Sequence, residues 1–183
     1  QDIDADIDGW FNADQDAWYF GTDGNPAPSE VDFVSLVLHE LGHGLGFYGW
    51  AEIDIGDNAC GSRTPGDGCI GPPPLSPMTY DQFTEDGAGK RLLAYENPSL
   101  DLGNALSNQA GGLFFNGPRA TAANGVPVKL YAPNPWNASS YDHVDEQTFN
   151  NTPNSLMTPV QSNGESEHHP GPVTLAMFQD MGW

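Results

Sequence analysis

Apolar residues are densest between residues 29 and 47, where the chain reads SEVDFVSLVLHELGHGLGF. They fall on almost every face of a 3.6-residue turn, which predicts an α-helix that runs through a core rather than along a surface. Ser29 stands at the predicted N-cap, and Gly46 is the predicted C-terminal stop. Two histidines and a glutamate within residues 39–43 interrupt this apolar pattern.

Short strands are predicted before this helix. Residues 2–8 alternate Ile and Ala with Asp, a period of two that predicts a half-buried strand with an acidic face. Residues 17–20, with the sequence AWYF, are a second strand candidate that ends at a Gly-Thr-Asp-Gly run. After the helix, residues 51–77 are rich in Gly, Pro and Asp, which predicts a loop.

The second half of the chain has weaker patterns. Short helices are predicted around residues 80–83 and 90–93, and a strand at 126–131. Residues 103–125 are rich in Gly and Asn around one apolar patch, and no regular element is predicted there. A C-terminal helix is predicted at 173–181, directly after a Pro-Gly-Pro run that marks its start.

Charge narrows the classes of partner. The 183 residues suit one domain or a small two-lobed unit, and they carry a formal net charge of -20. Such a surface repels phosphate backbones and anionic lipid, so we expect neither nucleic-acid binding nor membrane docking. No apolar run approaches the ~20 residues that a membrane helix needs. Clustered carboxylates are ligands that calcium prefers, so a calcium site is a further possibility.

The two cysteines of the chain, Cys60 and Cys69, bracket a short loop that contains Gly, Pro and Ser. Two cysteines so close together, in a chain with no others, predict one local disulfide. The alternative is a pair of free thiols. A disulfide indicates an oxidising compartment outside the cytoplasm, so we expect a secreted protein.

Residues 39–43 read HELGH, the HExxH pattern, on the predicted helix. His39 and His43 are four residues apart, so both imidazoles lie on one helix face and can bind one tetrahedral zinc ion. Glu40 lies one residue round the helix, where its carboxylate can act as a general base without binding the metal. A buried apolar helix would not carry these polar groups without a compensating partner, which argues against a chance match.

Zinc with an open position needs a third protein ligand. Three further histidines could supply it: His143, His168 and His169. The last two stand in a polar run that predicts a solvated loop, with a second metal or a substrate contact as the alternative role. The residues alone therefore leave the third ligand open.

Four blocks occur in order along the chain: HELGHGLG at 39–46, SYDH at 140–143, SLMTP at 155–159 and LAMFQDMGW at 175–183. Together they resemble the leishmanolysin-type metzincin zinc metallopeptidases and their secreted bacterial relatives. Most metzincins carry a third histidine three residues after the glycine turn, where this chain has Gly49. In the leishmanolysin type, a long insertion separates the two. The resemblance is dense at the four blocks and loose between them.

The resemblance implies that His143 joins His39 and His43 as the ligands of one catalytic zinc ion, with Glu40 as the base. It also implies that Met157 belongs to a turn beneath the zinc, where it forms a soft apolar floor. The residues after Met157 are Thr and Pro rather than a zinc-binding tyrosine, so we expect three protein ligands plus water.

The fold implied by the resemblance is α+β, a metzincin-like catalytic domain. A small twisted sheet and the zinc helix would lie above a loop-rich lower lobe with a C-terminal helix. We expect a single domain at 1–183, with an upper lobe at about 1–49 and a lower lobe at about 50–183. Because 38 residues precede His39, we expect the N-terminal portion of a metzincin domain to be missing, unless this version is minimal.

These observations predict a secreted zinc-dependent endopeptidase that cuts protein or peptide substrates as a monomer. The main alternative is a non-catalytic zinc- or calcium-bound extracellular adhesin or binding module on the same fold. Glu40 argues against it, because a structural zinc site has no use for a base and closes its fourth position. A calcium-stabilised acidic carbohydrate-binding or matrix protein with an accidental HExxH conflicts with the ordered His143 and Met157 blocks.

Overall fold

The computed structural model describes residues 7–62, 64–71 and 76–183. The strand predicted at 2–8 lies mostly outside these residues, and Ile7 and Asp8 are not in a strand. The strands are β1 Trp18–Tyr19, β2 Val31–Asp32, β3 Ala51–Ile53, β4 Gly68–Ile70, β5 Thr84–Asp86, β6 Leu113–Phe115 and β7 Val128–Leu130. The helices are α1 Phe33–Gly44, α2 Leu100–Leu106, α3 Pro118–Asn124, α4 Glu146–Phe149 and α5 Gly171–Met181.

The strands form three small sheets. Strands β1 and β2 pair in parallel, β3 and β4 pair antiparallel, and β5, β6 and β7 form an antiparallel sheet in that order. The chain is thus mixed α and β, with its widest sheet at residues 84–130. Within the described residues, no helix is both long and apolar enough to cross a membrane.

Several predicted elements are confirmed in shorter form. β1 lies inside the predicted strand at 17–20, and β7 lies inside the one at 126–131. The helices predicted around 80–83 and 90–93 are 3-10 turns, at Tyr80–Phe83 and Leu92–Ala94. Helix α5 begins two residues earlier than predicted, with a proline in its first turn.

Residues 51–77 were predicted to form a loop, and that prediction is wrong for the ends of the segment. β3 and β4 pair antiparallel there, with Glu52 opposite Cys69. The predicted disulfide between Cys60 and Cys69 is confirmed, and it joins the connecting loop to β4. The glycine and aspartate residues predict the turns correctly. The strands between the turns have only three residues each, which is too short for an alternating apolar pattern to be recognised.

The start of α1 also differs from the prediction. The N-cap is Asp32, whose side chain accepts a hydrogen bond from the Ser35 amide at 2.7 Å. Ser29 cannot be the cap, because β2 comes between it and the helix. At the other end Gly46 is left-handed, with φ of 102°, and follows the C-cap Leu45, so the predicted stop is confirmed.

Helix α1 is not the core helix that its apolar sequence predicts. Within α1 only Ser35 and Gly42 are buried, and Leu41 is 40% exposed. The core instead lies between the β5–β6–β7 sheet and the helices α2, α3 and α5, and its largest fully buried side chains are Tyr80, Tyr141, Phe47, Phe115, Ile70, Leu92, Leu102, Leu106, Leu113, Leu130, Met157 and Met177. Composition shows that a helix is apolar, but only the tertiary structure shows what covers it.

Residues 103–125, for which no element was predicted, contain β6, α3 and the end of α2. Helix α3 has no capping side chain of its own, because Gly117 precedes it. Asp180 of α5 takes this role and accepts hydrogen bonds from the amides of Arg119 at 3.0 Å and Ala120 at 2.9 Å. A cap supplied from 60 residues away cannot be recognised in the local sequence.

Replacing Asp180 with alanine should destabilise the fold by about 1–2 kcal/mol, because it removes the acceptor for two amides at the start of α3. The measurement is urea unfolding of the parent and the variant under identical conditions. The neighbouring exposed Gln179 is the control, and Gln179→Ala should change stability by less than about 0.5 kcal/mol. Equal losses in the two variants would contradict the capping role.

Candidate metal centre

Three imidazole rings meet at one point of the structure. The Nε2 atoms of His39 and His43 are 3.0 Å apart, and the Nε2 atom of His143 lies 3.2 Å from the first and 3.3 Å from the second. His39 and His43 project from successive turns of α1, as their spacing predicts. His143 comes from a segment 100 residues further along the chain than His43.

The outward-facing nitrogen of each ring identifies the tautomer. Each Nδ1 donates to a backbone carbonyl oxygen: His39 to Leu156 at 2.7 Å, His43 to Phe47 at 2.8 Å and His143 to Ser139 at 2.8 Å. A carbonyl oxygen only accepts, so the proton of each neutral ring is on Nδ1, and the three Nε2 lone pairs face one another. Three converging lone pairs repel unless a cation lies between them, which is how metal-binding histidines are oriented.

The separations of these nitrogens fit zinc. In a tetrahedral site with Zn–N distances of 2.0–2.1 Å, ligand nitrogens stand about 3.3–3.4 Å apart. The observed range of 3.0–3.3 Å is close to this value, and all three candidate ligand atoms are imidazole nitrogens. His39, His43 and His143 would hold the ion and leave one tetrahedral position open.

Burial keeps two of these rings unprotonated. Desolvation lowers the pKa of His39 to about 4, helped by the neighbouring rings of His43 and His143 and opposed by its bond to the Leu156 carbonyl. Desolvation also lowers the pKa of His43. A proton on Nε2 would block metal binding, so the lowered pKa values of His39 and His43 favour the metal-binding form of these two rings.

Met157 packs against helix α1 at Gly42. Its side chain is fully buried, and a Cβ atom added to Gly42 would stand 2.7 Å from the Met157 sulfur. The glycine within HELGH therefore makes room for the methionine. Because Met157 belongs to the 3-10 turn Ser155–Met157, the turn approaches the helix closely enough for its Leu156 carbonyl to accept from His39.

His143 is held at the free edge of β7. Its carbonyl accepts from the Tyr131 amide at 2.9 Å, and the next residue, Val144, forms a bridge with Leu130 and donates to the Met157 carbonyl at 2.9 Å. The segment before it bends at Tyr141, a non-glycine residue with φ of 81°. Strain at such a residue persists only where surrounding contacts hold it.

Those contacts are buried hydrogen bonds. The Tyr141 hydroxyl donates to Asp81 at 2.8 Å and pairs with the Thr84 hydroxyl at 2.9 Å, while the Tyr80 hydroxyl donates to the Tyr141 carbonyl at 2.9 Å. A Cβ at Gly49 would stand 2.3 Å from the Tyr141 ring, so the glycine after α1 allows this packing. The third histidine thus depends on the interior of the domain.

The three rings open onto a cleft of about 690 Å³ that is also lined by Glu40. The Glu40 side chain is exposed, and within the described residues it has no hydrogen-bond or ion-pair partner. Among the described residues, no Lys or Arg lines the cleft, whereas four carboxylates do: Glu40, Asp142, Glu165 and Glu167. A carboxylate beside a metal site in an open cleft can exchange protons with bound water.

The last two histidines have different surroundings. The polar neighbours of His168 predict a solvated loop, and for this residue the prediction is wrong. Its Nε2 donates to the buried carboxylate of Asp32 at 2.9 Å. His169 is exposed, in agreement with the prediction. Neither joins the three rings, and among the residues that the structure describes, those rings are the one group of three or more His, Cys, Asp or Glu side chains able to share an ion. A calcium site stays a prediction.

Two cleft residues were missed in the sequence. Asp142 accepts from Nδ1 of His143 at 3.0 Å, beside the Ser139 carbonyl, and so helps to orient the ring. Its position directly before His143 in the sequence could have indicated this role. Tyr48 lines the same cleft, and burial, with the charges of Asp142 and Glu52, raises its pKa and keeps the phenol a hydrogen-bond donor.

Comparison with known proteins reaches only the first part of the chain. A family described as SPBPB7E8-like matches residues 1–58, which include α1 with its two histidines and Glu40. No curated protein and no solved structure matches the chain. The match does not extend to His143 or Met157, so the case for the third ligand rests on the geometry.

Alanine substitutions should separate the three converging histidines from the other two. His39→Ala, His43→Ala and His143→Ala each remove one of three nitrogens, so each should lower zinc affinity at least about 100-fold. The exposed His169 is the matched control, and His169→Ala should retain one zinc per chain. Mass spectrometry of zinc content after dialysis against a competing chelator gives the answer. Equal zinc content in His143→Ala and His169→Ala would refute the ligand assignment.

In the metal-free protein His39 should titrate with a midpoint of about 4, which NMR of its ring protons can measure against the ordinary value of 6.5. Between these two values the unfolded chain binds a proton at this position that the folded chain does not. The contribution of His39 to the free energy of unfolding therefore decreases as the pH falls from 6.5 to about 4, and it is constant outside that window. A midpoint near 6.5 would show that the ring is not desolvated.

Proposed function

We propose that the protein is a secreted zinc-dependent endopeptidase of the metzincin type. The observation that carries this proposal is the convergence of three imidazole Nε2 atoms, with all three Nδ1 atoms bound to carbonyl oxygens, in a cleft that also holds Glu40. Three ligands with a fourth position open to a cleft are typical of a catalytic zinc site, whereas a structural site has four protein ligands.

Each residue of the site has a defined part in hydrolysis. When bound, zinc supplies Lewis-acid chemistry, which polarises the scissile carbonyl and makes water acidic. A carboxylate oxygen of Glu40 accepts the proton of the attacking water and then delivers it to the nitrogen of the leaving amine. The exposed, unpaired state of Glu40 within the described residues suits this role, because no partner has to be displaced.

A peptide substrate agrees with the shape of the cleft and with the resemblance. The cleft is lined by residues of α1, by residues of the segment 150–167 and by the three histidines. The LMTP block of the resemblance forms the turn beneath α1 and the start of the opposite side. The resemblance to metzincins supports protein or peptide as the substrate class.

Secretion is supported by the disulfide between Cys60 and Cys69, since such bonds persist in oxidising compartments. The net charge of -20 supports a protein that avoids nucleic acids and anionic lipid surfaces. A non-catalytic binding module would need neither an open zinc position nor a free carboxylate beside it, so the endopeptidase is the better supported of the two functions.

Replacing Glu40 with glutamine should abolish proteolysis while zinc binding and folding persist, because the amide cannot accept the proton from water. We expect the cleavage rate of a casein-type substrate to fall at least about 100-fold. The exposed carboxylate of Glu96 offers a matched control, and Glu96→Gln should cut like the parent. Zinc content and thermal unfolding of both variants show whether the site and the fold are intact.

Two results would count against the proposal. If Glu40→Gln cuts at the parental rate, then Glu40 is not the base and the mechanism is wrong. If the zinc-loaded parent cleaves no protein or peptide from a broad library, the binding-module alternative is favoured.

A further inference from the structure

One side of the cleft is formed by residues 160–168, which we call the cleft wall. The wall follows the Ser155–Met157 turn and contains no helix or strand. Its members that line the cleft are Val160, Gln161, Gly164, Glu165, Ser166 and Glu167. An irregular segment of this kind has no hydrogen-bond ladder to hold it, so other contacts must set its distance from the histidines.

Those contacts lead to the segment at the start of α1. Besides the bond from His168 to Asp32, the wall donates to residues 29–35 at four points: Gln161 to the Asp32 carbonyl at 3.1 Å, Asn163 to the Ser29 carbonyl at 3.3 Å, Gly164 to the Glu30 carbonyl at 2.8 Å and Glu167 to the Ser35 hydroxyl at 2.7 Å. More than 125 residues separate the partners in sequence. The wall is thus attached to the segment that leads into α1 and, at Ser35, to the first turn of the helix that carries His39 and His43.

A buried carboxylate lies at the centre of this attachment. Asp32 is completely buried, and its Oδ1 atom accepts from the Ser35 amide at 2.7 Å, the Ser35 hydroxyl at 2.7 Å and Nε2 of His168 at 2.9 Å. Its other oxygen has no hydrogen-bond partner in the part of the chain that the structure describes. A buried carboxylate is costly without donors, so the imidazole N–H of His168 is a contact that the site requires.

The cleft wall also packs closely against the loop before β2. Gly164 has φ of 81°, and a Cβ atom added to it would stand 3.1 Å from the Cα atom of Pro28. A Cβ at Gly24 would stand 3.2 Å from the Ser166 hydroxyl and 3.9 Å from the His168 ring. The wall and the loop before β2 therefore approach each other at glycines, where a side chain would force them apart.

We propose that Asp32 and His168 are positioning residues that hold the cleft wall against α1 and thereby determine how tightly the cleft binds a peptide. Asp32 caps the zinc-binding helix and accepts from the end of the wall with the same oxygen atom. The wall therefore keeps a fixed position relative to His39 and His43. This proposal rests on the endopeptidase function for its effect on substrate, but not for the attachment itself.

The test compares His168→Ala with His168→Gln, which keeps an N–H donor, and with His169→Ala, the exposed neighbour. In His168→Ala the wall amides of Gly164 and Glu167 should exchange hydrogen at least about tenfold faster than in the parent, because a bond to a charged group is lost. KM for a peptide should rise at least about fivefold with kcat within about twofold, the signature of lost binding rather than lost chemistry. Zinc content should stay at one per chain.

The glutamine variant should recover most of the parental exchange rate and KM, and His169→Ala should match the parent in both. Gly164→Ala is a second, independent perturbation, and it should raise KM without loss of zinc because it separates the wall from Pro28. It keeps the proposal testable if His168→Ala does not fold.

The outcomes distinguish this proposal from the proposed function. Unchanged exchange of the wall amides in His168→Ala would overturn the attachment, and faster exchange with unchanged KM would overturn its effect on substrate. Loss of zinc from His168→Ala, as expected for His143→Ala, would overturn the positioning role. If the parent itself cleaves no peptide, the endopeptidase function fails, while the exchange measurement still decides whether His168 holds the wall.

Discussion

The structure depends most on the convergence of three imidazole nitrogens whose lone pairs face one another. Each ring is held by a backbone carbonyl at Nδ1, so none can turn away or move its proton inward without losing a bond of 2.7–2.8 Å. Three such acceptors repel one another until a cation lies between them. The surrounding structure therefore has to resist this repulsion before any ion binds, and most of the contacts near the cleft contribute to that resistance.

The turn Ser155–Met157 contributes to this resistance, because it contacts His39 and the residue that follows His143. The Leu156 carbonyl orients His39, and the Met157 carbonyl accepts from Val144, the residue after His143. The Met157 side chain fills the space that Gly42 leaves on α1. A methionine suits this position, since its flexible and apolar thioether side chain can pack closely against a helix backbone.

Two helix ends in this protein, the start of α3 and the end of α1, are bonded by distant side chains, which ties the site to the rest of the domain. Asp180 caps α3, and the Trp183 indole donates to the Leu45 carbonyl at the end of α1 at 2.9 Å. At its other end, α1 is capped by Asp32, whose carboxylate also accepts from His168. The half-exposed α1 is thus held at both termini rather than by burial of its apolar faces. The face of α1 that carries His39, Glu40 and His43 lines the cleft.

The sequence by itself determined the local part of the site. Four-residue spacing on a helix is enough to place His39 and His43 together with Glu40 beside them, because helix geometry relates these positions over a single turn. The short separation of the two cysteines was equally sufficient for the disulfide, and the glycine at 46 for the end of α1. His143 came from a resemblance in the order of motifs, since no local rule relates residues 100 apart.

Only the tertiary structure decided the rest. The carbonyl partners of the rings, the half-exposure of α1 and the hairpin around the disulfide come from contacts between distant segments. His168 and Asp32 are 136 residues apart in sequence, and the polar residues around His168 predicted a solvated loop instead of this contact. Short-range patterns report backbone geometry within a turn or a strand, whereas burial and long-range hydrogen bonds depend on how the whole chain packs.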